Sequence, residues 1–286
     1  MTRLDRRLLF TSGAAAALFA ATGVPAYAAP KRGGRLVAAL SGANRADTWA
    51  QPHGIFMQAA RGAVYETLTE IAADGTLRGD IATGWATQDG GLSWVFETHK
   101  DVVFHDGHAL RMDDVAAMLL DHTDLNVVTA DALGAQSLHV TLAAANPSLP
   151  YVLADPRFAV LPLEQSRQDA GIGTGLYRVQ KFQAGRHFIG TRMPTHRKDG
   201  DAGWFDTVEL VSIPSDAVRA EALRDTLVDV ADIIVLDDYS DPVDFQVLPS
   251  DYAPQQIARK TIGVPASVGA VWPLDDLRMT QRWWMA

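Results

Sequence analysis

The stretch of sequence that decides the fold is residues 84–115, GWATQDGGLSWVFETHKDVVFHDGHALRMDDV. Apolar and polar residues alternate over residues 92–97, which predicts an extended segment with one apolar face. The triplet HKD at residues 99–101 predicts a hairpin turn into a second short strand over residues 102–104. Apolar residues at i, i+3, i+4 and i+7 from Met112 then predict a helix. The stretch therefore predicts the order strand, turn, strand, turn and helix.

Length, composition and charge narrow the class of protein. The chain has 286 residues, of which 48% are hydrophobic and 21% charged, and this is enough for one large or two modest globular domains. A formal net charge of −9 disfavours a nucleic-acid partner, which would need a basic face. The absence of cysteine excludes disulfides, thiolate chemistry and Cys-ligated zinc. These properties are typical of an acidic globular protein with a hydrophobic core.

The N-terminal segment predicts an export signal over residues 1–28. Arg6 and Arg7 precede an apolar run that is too short to span a membrane comfortably, and the triplet AYA at residues 26–28 is a small-x-small cleavage site. The paired arginines favour the twin-arginine route for folded proteins, with an ordinary secretory signal as the alternative. A lipoprotein anchor would need a cysteine after the cleavage site. We therefore expect an exported protein that is soluble in a bacterial periplasm and is not a lipoprotein.

Four motifs in and around the quoted stretch belong together. They are an Ala-x-x-Trp segment, an aromatic strand, a Phe-His-Asp-Gly turn and an Asp-Val pair, at residues 82–85, 94–96, 104–107 and 114–115. Together they resemble the signature of the extracellular solute-binding proteins of the oligopeptide, dipeptide and nickel type (family 5). Asp101 stands where the family usually has Gly, and Asp tolerates the geometry of a turn almost as readily. The resemblance extends over residues 33–234.

The resemblance implies an α/β fold of the periplasmic-binding-protein-like class (type II). Lobe I would contain a mixed β-sheet built from residues 29–50 and 166–286, and residues 51–165 would form a smaller α+β lobe II. Full-length members continue with a third lobe that closes over the ligand, and little sequence follows residue 234 here. We therefore expect a shortened form with the third lobe missing.

The function that the resemblance implies is the periplasmic solute-binding component of an ABC-type importer. Such a protein binds peptides, peptide-like solutes or a metal chelate and presents them to an inner-membrane permease, without cofactor or catalysis. A homodimer or a second protein would then cover the face of the missing lobe. The alternative is a non-transport scaffold or interaction protein that uses the exposed lobe I face and the C-terminal tryptophans. Those tryptophans would otherwise pack over lobe I; they are Trp272, Trp283 and Trp284.

The predicted ligand contacts lie in the polar loop after the first strand and near the crossing back from lobe II to lobe I. Ligands collect at the carboxyl ends of strands in open α/β sheets, and the resemblance places this loop in the cleft. A solvated loop with an Asp or Asn helix cap is the competing interpretation. The predicted ligand-binding residues are Asn44, Arg45, Asp47, Trp49, Tyr177 and Arg178.

Other chemistry is less well supported by the sequence. The run GIGTG at residues 171–175 invites a nucleotide-binding interpretation, which we reject because no buried strand precedes it and a strand rather than a helix follows. His105 and His108 could form a metal pair, but they lie in a turn without a third ligand nearby, and the family uses His-Asp-Gly as turn architecture. An acidic cluster could bind a hard cation, with a solvated loop as the alternative; it comprises Asp237, Asp238, Asp241 and Asp244. No catalytic motif is present, and an exported hydrolase is therefore disfavoured.

Overall fold

The computed structural model describes residues 32–50, 54–72, 76–234, 244–248 and 255–259. Among these residues, no helix is both long and apolar enough to cross a membrane. Several sequence predictions fall outside the described ranges. These are the export signal, three of the four clustered aspartates and the C-terminal tryptophans.

The strands in chain order are β1 (Arg35–Leu40), β2 (Thr69–Ile71), β3 (Leu77–Gly79), β4 (Ala82–Ala86), β5 (Ser93–Thr98), β6 (Val127–Ala132), β7 (Ser137–Leu142), β8 (Tyr177–Gln183), β9 (His187–Arg192), β10 (Thr207–Ser212), β11 (Val230–Ile233), β12 (Phe245–Leu248) and β13 (Gln255–Arg259). The helices are α1 (Gly54–Val64), α2 (Met112–Asp121), α3 (Leu149–Val152), α4 (Gln165–Asp169) and α5 (Asp216–Arg224), with short 3-10 helices at Thr123–Leu125 and Pro156–Phe158.

Seven of the described strands form one mixed sheet with the order β12-β13-β11-β1-β10-β9-β8. β1 lies near its centre and runs parallel to both β10 and β11, whereas the other neighbours are antiparallel. The sequence of β1, RLVAAL, is almost continuously apolar because both faces of this strand are covered. This sheet is the core of lobe I, and the apolar or alternating sequence of each of the strands β1, β8, β9, β10 and β11 predicts a strand there.

Helix α1 covers one face of the main sheet. Its side chains Phe56 and Met57 are fully buried in a cluster with Leu36 of β1 and Leu210 of β10. The sequence-based boundary at residue 51 assigned this helix to lobe II. Because α1 packs on the main sheet, we propose that the helix belongs to lobe I and that the chain leaves lobe I after Tyr65.

Lobe II contains a four-stranded antiparallel sheet with the order β4-β5-β7-β6. The alternation predicted around Trp94 and Phe96 is observed, since both are buried on the face that α2 covers. Met112, Val115 and Leu119 of α2 pack against the same cluster, as their helical spacing predicts. The Asp-Gly pair at residues 74–75 predicts a hairpin over residues 69–79, and β2 and β3 form a separate two-stranded antiparallel pair there.

The prediction of a second strand over residues 102–104 is wrong. β5 pairs with β4 and β7 instead, and Val103 makes only an isolated bridge to Ala109. The segment closes on itself, with Phe104 N donating to His108 O (2.8 Å) and Leu110 N to Val102 O (2.9 Å). The three apolar residues that resembled a strand are a loop whose two outer side chains are buried.

The sequence predicts a helix that residues 214–216 cap and whose apolar face includes Leu223 and Leu227, and the observed helix α5 differs from this prediction at both ends. The helix begins at Asp216 after Ser215, but the Ser215 hydroxyl makes no capping hydrogen bond. It ends at Arg224, so Leu227 lies beyond it and is 69% exposed rather than on the buried face. Leu223 carries the packing of this helix, in a cluster with β11 and β13.

Candidate functional site

The carboxyl ends of the three parallel strands β1, β10 and β11 meet at one edge of the main sheet. β1 ends at Leu40 opposite Ser212, and the turn between β8 and β9 lies at the same edge because His187 pairs with Val211. Loops that leave parallel strands at this edge commonly hold ligands in open α/β sheets. We refer to this region as the carboxyl edge.

A buried carboxylate fixes the carboxyl edge. Asp232 of β11 is fully buried and accepts hydrogen bonds from Ser41 N (3.0 and 3.1 Å) and from the Ser41 hydroxyl. Arg219 of α5 pairs with the same carboxylate (2.9 Å) and also donates to the Ile213 carbonyl (2.6 Å). Burial raises the pKa of Asp232 against the effect of these partners. The arrangement joins the ends of the three strands into one rigid support.

The loop after β1 is built on this support. Asn44 N donates to Asp47 Oδ2 (2.6 Å), and Ala46 N donates to Asn44 Oδ1 (2.9 Å), so the two polar side chains close the turn. Asp47 is buried, whereas Asn44 and Arg45 are exposed. A Cβ on Gly185 would lie 2.8 Å from Arg45 N, which shows how closely the β8–β9 turn approaches the loop. Asn44 and Arg45 are therefore the exposed residues of a well-supported loop tip.

The aromatic residue of this loop has a packing role. Trp49 is buried beneath the sheet, with ring centroids 4.6 Å from Phe182 and 5.9 Å from both Tyr65 and Phe188. Of the four loop residues predicted to contact a ligand, Asp47 and Trp49 thus hold the loop in place. Asn44 and Arg45 are the two that remain accessible to a solute.

The other two predicted contacts lie at the opposite end of the sheet. Tyr177 is fully buried, and its hydroxyl donates to the Phe205 carbonyl (3.0 Å). Arg178 is exposed and pairs with Thr191, which in turn faces Thr207 at the amino end of β10. With a rise of about 3.3 Å per residue along β8, roughly 20 Å separates this end from the carboxyl edge. The structure does not bring these residues to Asn44 and Arg45.

The chain crosses between the lobes twice, and the two crossings lie side by side. Gly175 N donates to Val64 O (2.8 Å), and Val160 N donates to Glu66 O (2.9 Å). A Cβ on Gly173 would lie less than 3.0 Å from the Val64 carbonyl oxygen, and one on Gly175 would lie 2.7 Å from the same carbonyl group. The GIGTG run is therefore explained by close approach of two backbone segments, in agreement with the rejection of a nucleotide loop.

Two histidines bind this crossing segment. His105 Nδ1 accepts from Gly173 N (3.3 Å), so His105 Nε2 carries the proton and donates to Gly175 O (2.8 Å). His196 in the loop after β9 bonds to Thr174 O through Nε2 (3.0 Å). Burial lowers the pKa of both imidazoles, that of His105 to about 4. Both rings are therefore neutral structural links at neutral pH.

These links predict a pH-dependent stability. The unfolded chain binds a proton at His105 near its ordinary pKa of 6.5, whereas the folded chain does so only near pH 4. The free energy of unfolding should therefore fall as pH falls from about 6.5 to about 4, by about 2 kcal/mol between pH 7 and pH 5. Urea unfolding of the wild type and of His105→Gln at pH 7 and pH 5 measures this change in the free energy of unfolding. An equal loss in the variant would contradict the assignment to His105.

A buried ionic network stabilises the outward crossing. Arg197 donates to Glu66 Oε2 (2.7 Å) and to Asp80 Oδ1 (2.9 Å), and Lys198 Nζ lies 2.6 Å from Asp80 and 2.7 Å from Glu70. The side chains of Glu66 and Asp80 are fully buried. Burial alone would lower the pKa of Arg197, but Glu66 and Asp80 raise it well above its usual value. The network joins the loop after β9 to the start of lobe II.

The sequence did not single out this network. Arg197 and Glu66 are 131 residues apart, and charged residues at this spacing have no periodic signal. The His-Asp-Gly turn was predicted as architecture, and Asp106 Oδ1 does accept from His108 N (3.2 Å), while His105 binds the crossing segment. Within the described ranges, no group of three or more Asp, Glu or His side chains is placed to hold a metal ion.

Comparison with known proteins places this architecture in a family. Residues 76–258 match the family described as bacterial extracellular solute-binding proteins, family 5 Middle. Because this match covers more than half of the chain, the chain belongs to that family. The class predicted from the sequence motifs is confirmed, and it is a class of solute-binding proteins rather than of enzymes.

Solved structures confirm the periplasmic-binding-protein-like α/β fold. AgaA of A. tumefaciens R10, solved with agropinic acid, is 23% identical over 76% of this chain and 48% of its own, with a TM-score of 0.68. DppA of Helicobacter pylori, solved with the peptide STSA, is 18% identical over 77% of this chain and 51% of its own, with a TM-score of 0.66. The chain thus spans about half the length of these structures.

One curated relative is named as a transcriptional regulator rather than as a solute-binding protein. The HTH-type transcriptional regulator SgrR of Salmonella typhi is 30% identical over 127 residues, which is 41% of this chain and 23% of the relative. The similarity covers too little of the regulator to carry its activity to this chain.

Proposed function

We propose that the chain is the periplasmic solute-binding component of an ABC-type importer and that it binds peptides or peptide-like solutes. Membership of family 5 supports the class, and the fold shared with a peptide-bound protein and with an agropinic-acid-bound protein supports an organic solute. The observation that carries the proposal is the exposed pair Asn44 and Arg45, held at the carboxyl edge by buried polar and aromatic anchors.

The chemistry of this loop fits a peptide. No described residue forms an ion pair with Arg45, and a guanidinium can bind a carboxylate through two parallel hydrogen bonds. Asn44 offers an amide group beside it, suited to a peptide bond. Because a solute held against one lobe alone buries little of its surface, we propose that a second wall completes the site. That wall would come from a second copy or another protein.

Arg45→Ala should weaken binding of a short peptide by about tenfold or more, because a charged hydrogen-bonding partner is lost at the solute. Ligand-dependent thermal stabilisation across a library of two- to four-residue peptides would first find a binding peptide, and calorimetry would then compare the variants. Arg178→Ala is the matched control, since Arg178 is exposed at the opposite end of the same sheet. Equal losses in both variants, or none in Arg45→Ala, would place the site elsewhere.

Two further steps are export of the chain and its docking on the transporter. We propose that the chain is exported to the periplasm by the twin-arginine route as a soluble protein and that it docks on an inner-membrane permease. Substitution of Arg6 and Arg7 by Lys should abolish export in cells if that route is used. Continued export of the variant would favour an ordinary secretory signal.

A non-transport interaction protein is the second candidate. The similarity to a protein named as a transcriptional regulator favours it, because related sequence also occurs outside proteins named as transport receptors. The two candidates separate in one experiment. No thermal stabilisation by any peptide, combined with a stable self-association of the purified chain, would favour the scaffold.

A further inference from the structure

A cavity of about 410 Å³ lies between α1 of the main sheet and α2 of lobe II. Ala117 and Met118 of α2 line one side, and Leu161 lines the other. Its charged and titratable lining consists of Arg61 from α1, Asp114 and Asp121 from α2, and His122 and Arg157. The cavity thus combines an apolar wall with groups of both charges. Asn44 and Arg45 do not line it.

Arg61 stands apart from the other buried arginines of the described residues. Arg192 pairs with Asp199 (2.5 Å), and Arg219 pairs with Asp232 (2.9 Å). Arg61 is 1% exposed and has no carboxylate in ion-pair contact in the described part of the chain. A guanidinium buried without an anion is costly, since both its charge and its hydrogen-bond donors leave water.

The hydrogen bonds of Arg61 leave one edge of its guanidinium weakly used. Nη1 donates to the Trp49 carbonyl, while Nη2 makes only long contacts to the carbonyls of Pro156 (3.4 Å) and Arg157 (3.5 Å). Nε has no hydrogen-bond partner among the described residues. The edge formed by Nε and Nη2 is the one that binds carboxylates side-on. Burial lowers the pKa of Arg61 to about 10, although the charges of Tyr65 and Asp155 act in the opposite direction.

The carboxylates of α2 supply the complementary charge. Asp114 is buried and uses Oδ2 to accept from Arg111 N (2.9 Å), and Asp121 lies two turns further along the same helix. A ligand that complements these charges carries a carboxylate for Arg61 and an ammonium group for the aspartates. The apolar wall at Met118 and Leu161 suits an aliphatic side chain.

We propose that this cavity is a second ligand site that binds a small aliphatic α-amino acid, separate from the solute site at the carboxyl edge. The amino acid carboxylate pairs with Arg61, its ammonium group faces Asp114 and Asp121, and its side chain contacts Met118. Occupation of the site joins a helix of lobe I to a helix of lobe II. A solute-binding protein with such a site would respond to free amino acids independently of the solute it carries.

The test uses NMR of the full chain with ¹³C-labelled methionine methyl groups and titration with L-leucine. The Met118 methyl resonance should move, whereas that of Met57, buried in the core of lobe I, should not. L-leucinamide lacks the carboxylate and 4-methylpentanoate lacks the amine, and each should bind about tenfold or more weakly. No movement of Met118 with L-leucine, or equal binding of all three compounds, would overturn the proposal.

Variants separate the cavity from non-specific effects. Ala117→Phe should fill the cavity and abolish the Met118 response, while Leu120→Phe, at an exposed position on the same helix, should leave it intact. Arg61→Met should also abolish the Met118 response. If Arg61→Met does not fold, Ala117→Phe alone tests the proposal. An undiminished response to L-leucine in Ala117→Phe would overturn the proposal, and its failure would leave the Arg45 comparison at the carboxyl edge unaffected.

Discussion

Arg197→Met is expected to lower the free energy of unfolding by about 3–5 kcal/mol, because it leaves Glu66 and Asp80 buried with much of their countercharge removed. Both carboxylates have no solvent exposure, and Arg197 binds both of them at hydrogen-bond distance. Lys198 Nζ lies 2.6 Å from Asp80 but 3.7 Å from Glu66, so the loss should fall mainly on Glu66. Urea unfolding at neutral pH measures the effect.

The same network offers a matched control. Arg78 pairs with Glu70 at 2.7 Å, but its side chain is 45% exposed, so Arg78→Met should cost less than about 1 kcal/mol. Adding Glu66→Gln to Arg197→Met should restore part of the lost stability, since it removes the uncompensated charge. Equal costs for the two arginine variants would show that burial does not govern this network.

Gly173→Ala is expected to cost more than about 3 kcal/mol or to prevent folding. The new Cβ would lie less than 3.0 Å from the Val64 carbonyl oxygen and 2.8 Å from the Tyr65 ring. Both neighbours belong to the outward crossing, so relief of the clash would separate the two segments that join the lobes. The hydrogen bond that Gly173 N donates to His105 Nδ1 would be strained as well. Thermal and urea unfolding measure the loss.

Gly134→Ala is the control for this substitution. Gly134 is exposed between β6 and β7, and a Cβ there meets nothing within 4 Å. Its replacement should change stability by less than about 0.5 kcal/mol. If Gly173→Ala were as mild as this control, the close approach of the two crossings would have no energetic weight.

Sequence reasoning succeeded where a local pattern determines the structure. The alternation around Trp94, the helical spacing from Met112 and the apolar run of β1 each correspond to an observed element with the predicted buried face. It failed over residues 102–104, because three consecutive apolar residues fit a buried loop as well as a strand. A short apolar run carries no information about its hydrogen-bonding partner, and that partner decided the outcome.

The candidate site was predictable only in part, for the same reason. The position of the polar loop after β1 follows from the rule for strand ends, and Asn44 and Arg45 are accessible there. The sequence could not show that Trp49 and Tyr177 are core residues or that Arg178 lies at the far end of the sheet. Arg61 gave no signal at all, because an arginine in an amphipathic helix normally faces solvent, whereas here Trp49, Tyr65 and residues 156–157 contact it.

The position of β1 in the middle of the main sheet has a consequence for synthesis of the chain. Gly34, just before β1, is hydrogen-bonded to Asp206, just before β10, across 172 residues. At ribosomal rates of about 5–20 residues per second, β1 waits roughly 10–30 s for its first parallel neighbour. The strands of the smaller lobe are all translated within that interval, so we expect this lobe to fold first. The larger lobe would then close around an already folded insertion, and β1 would need protection from aggregation until its partner emerges.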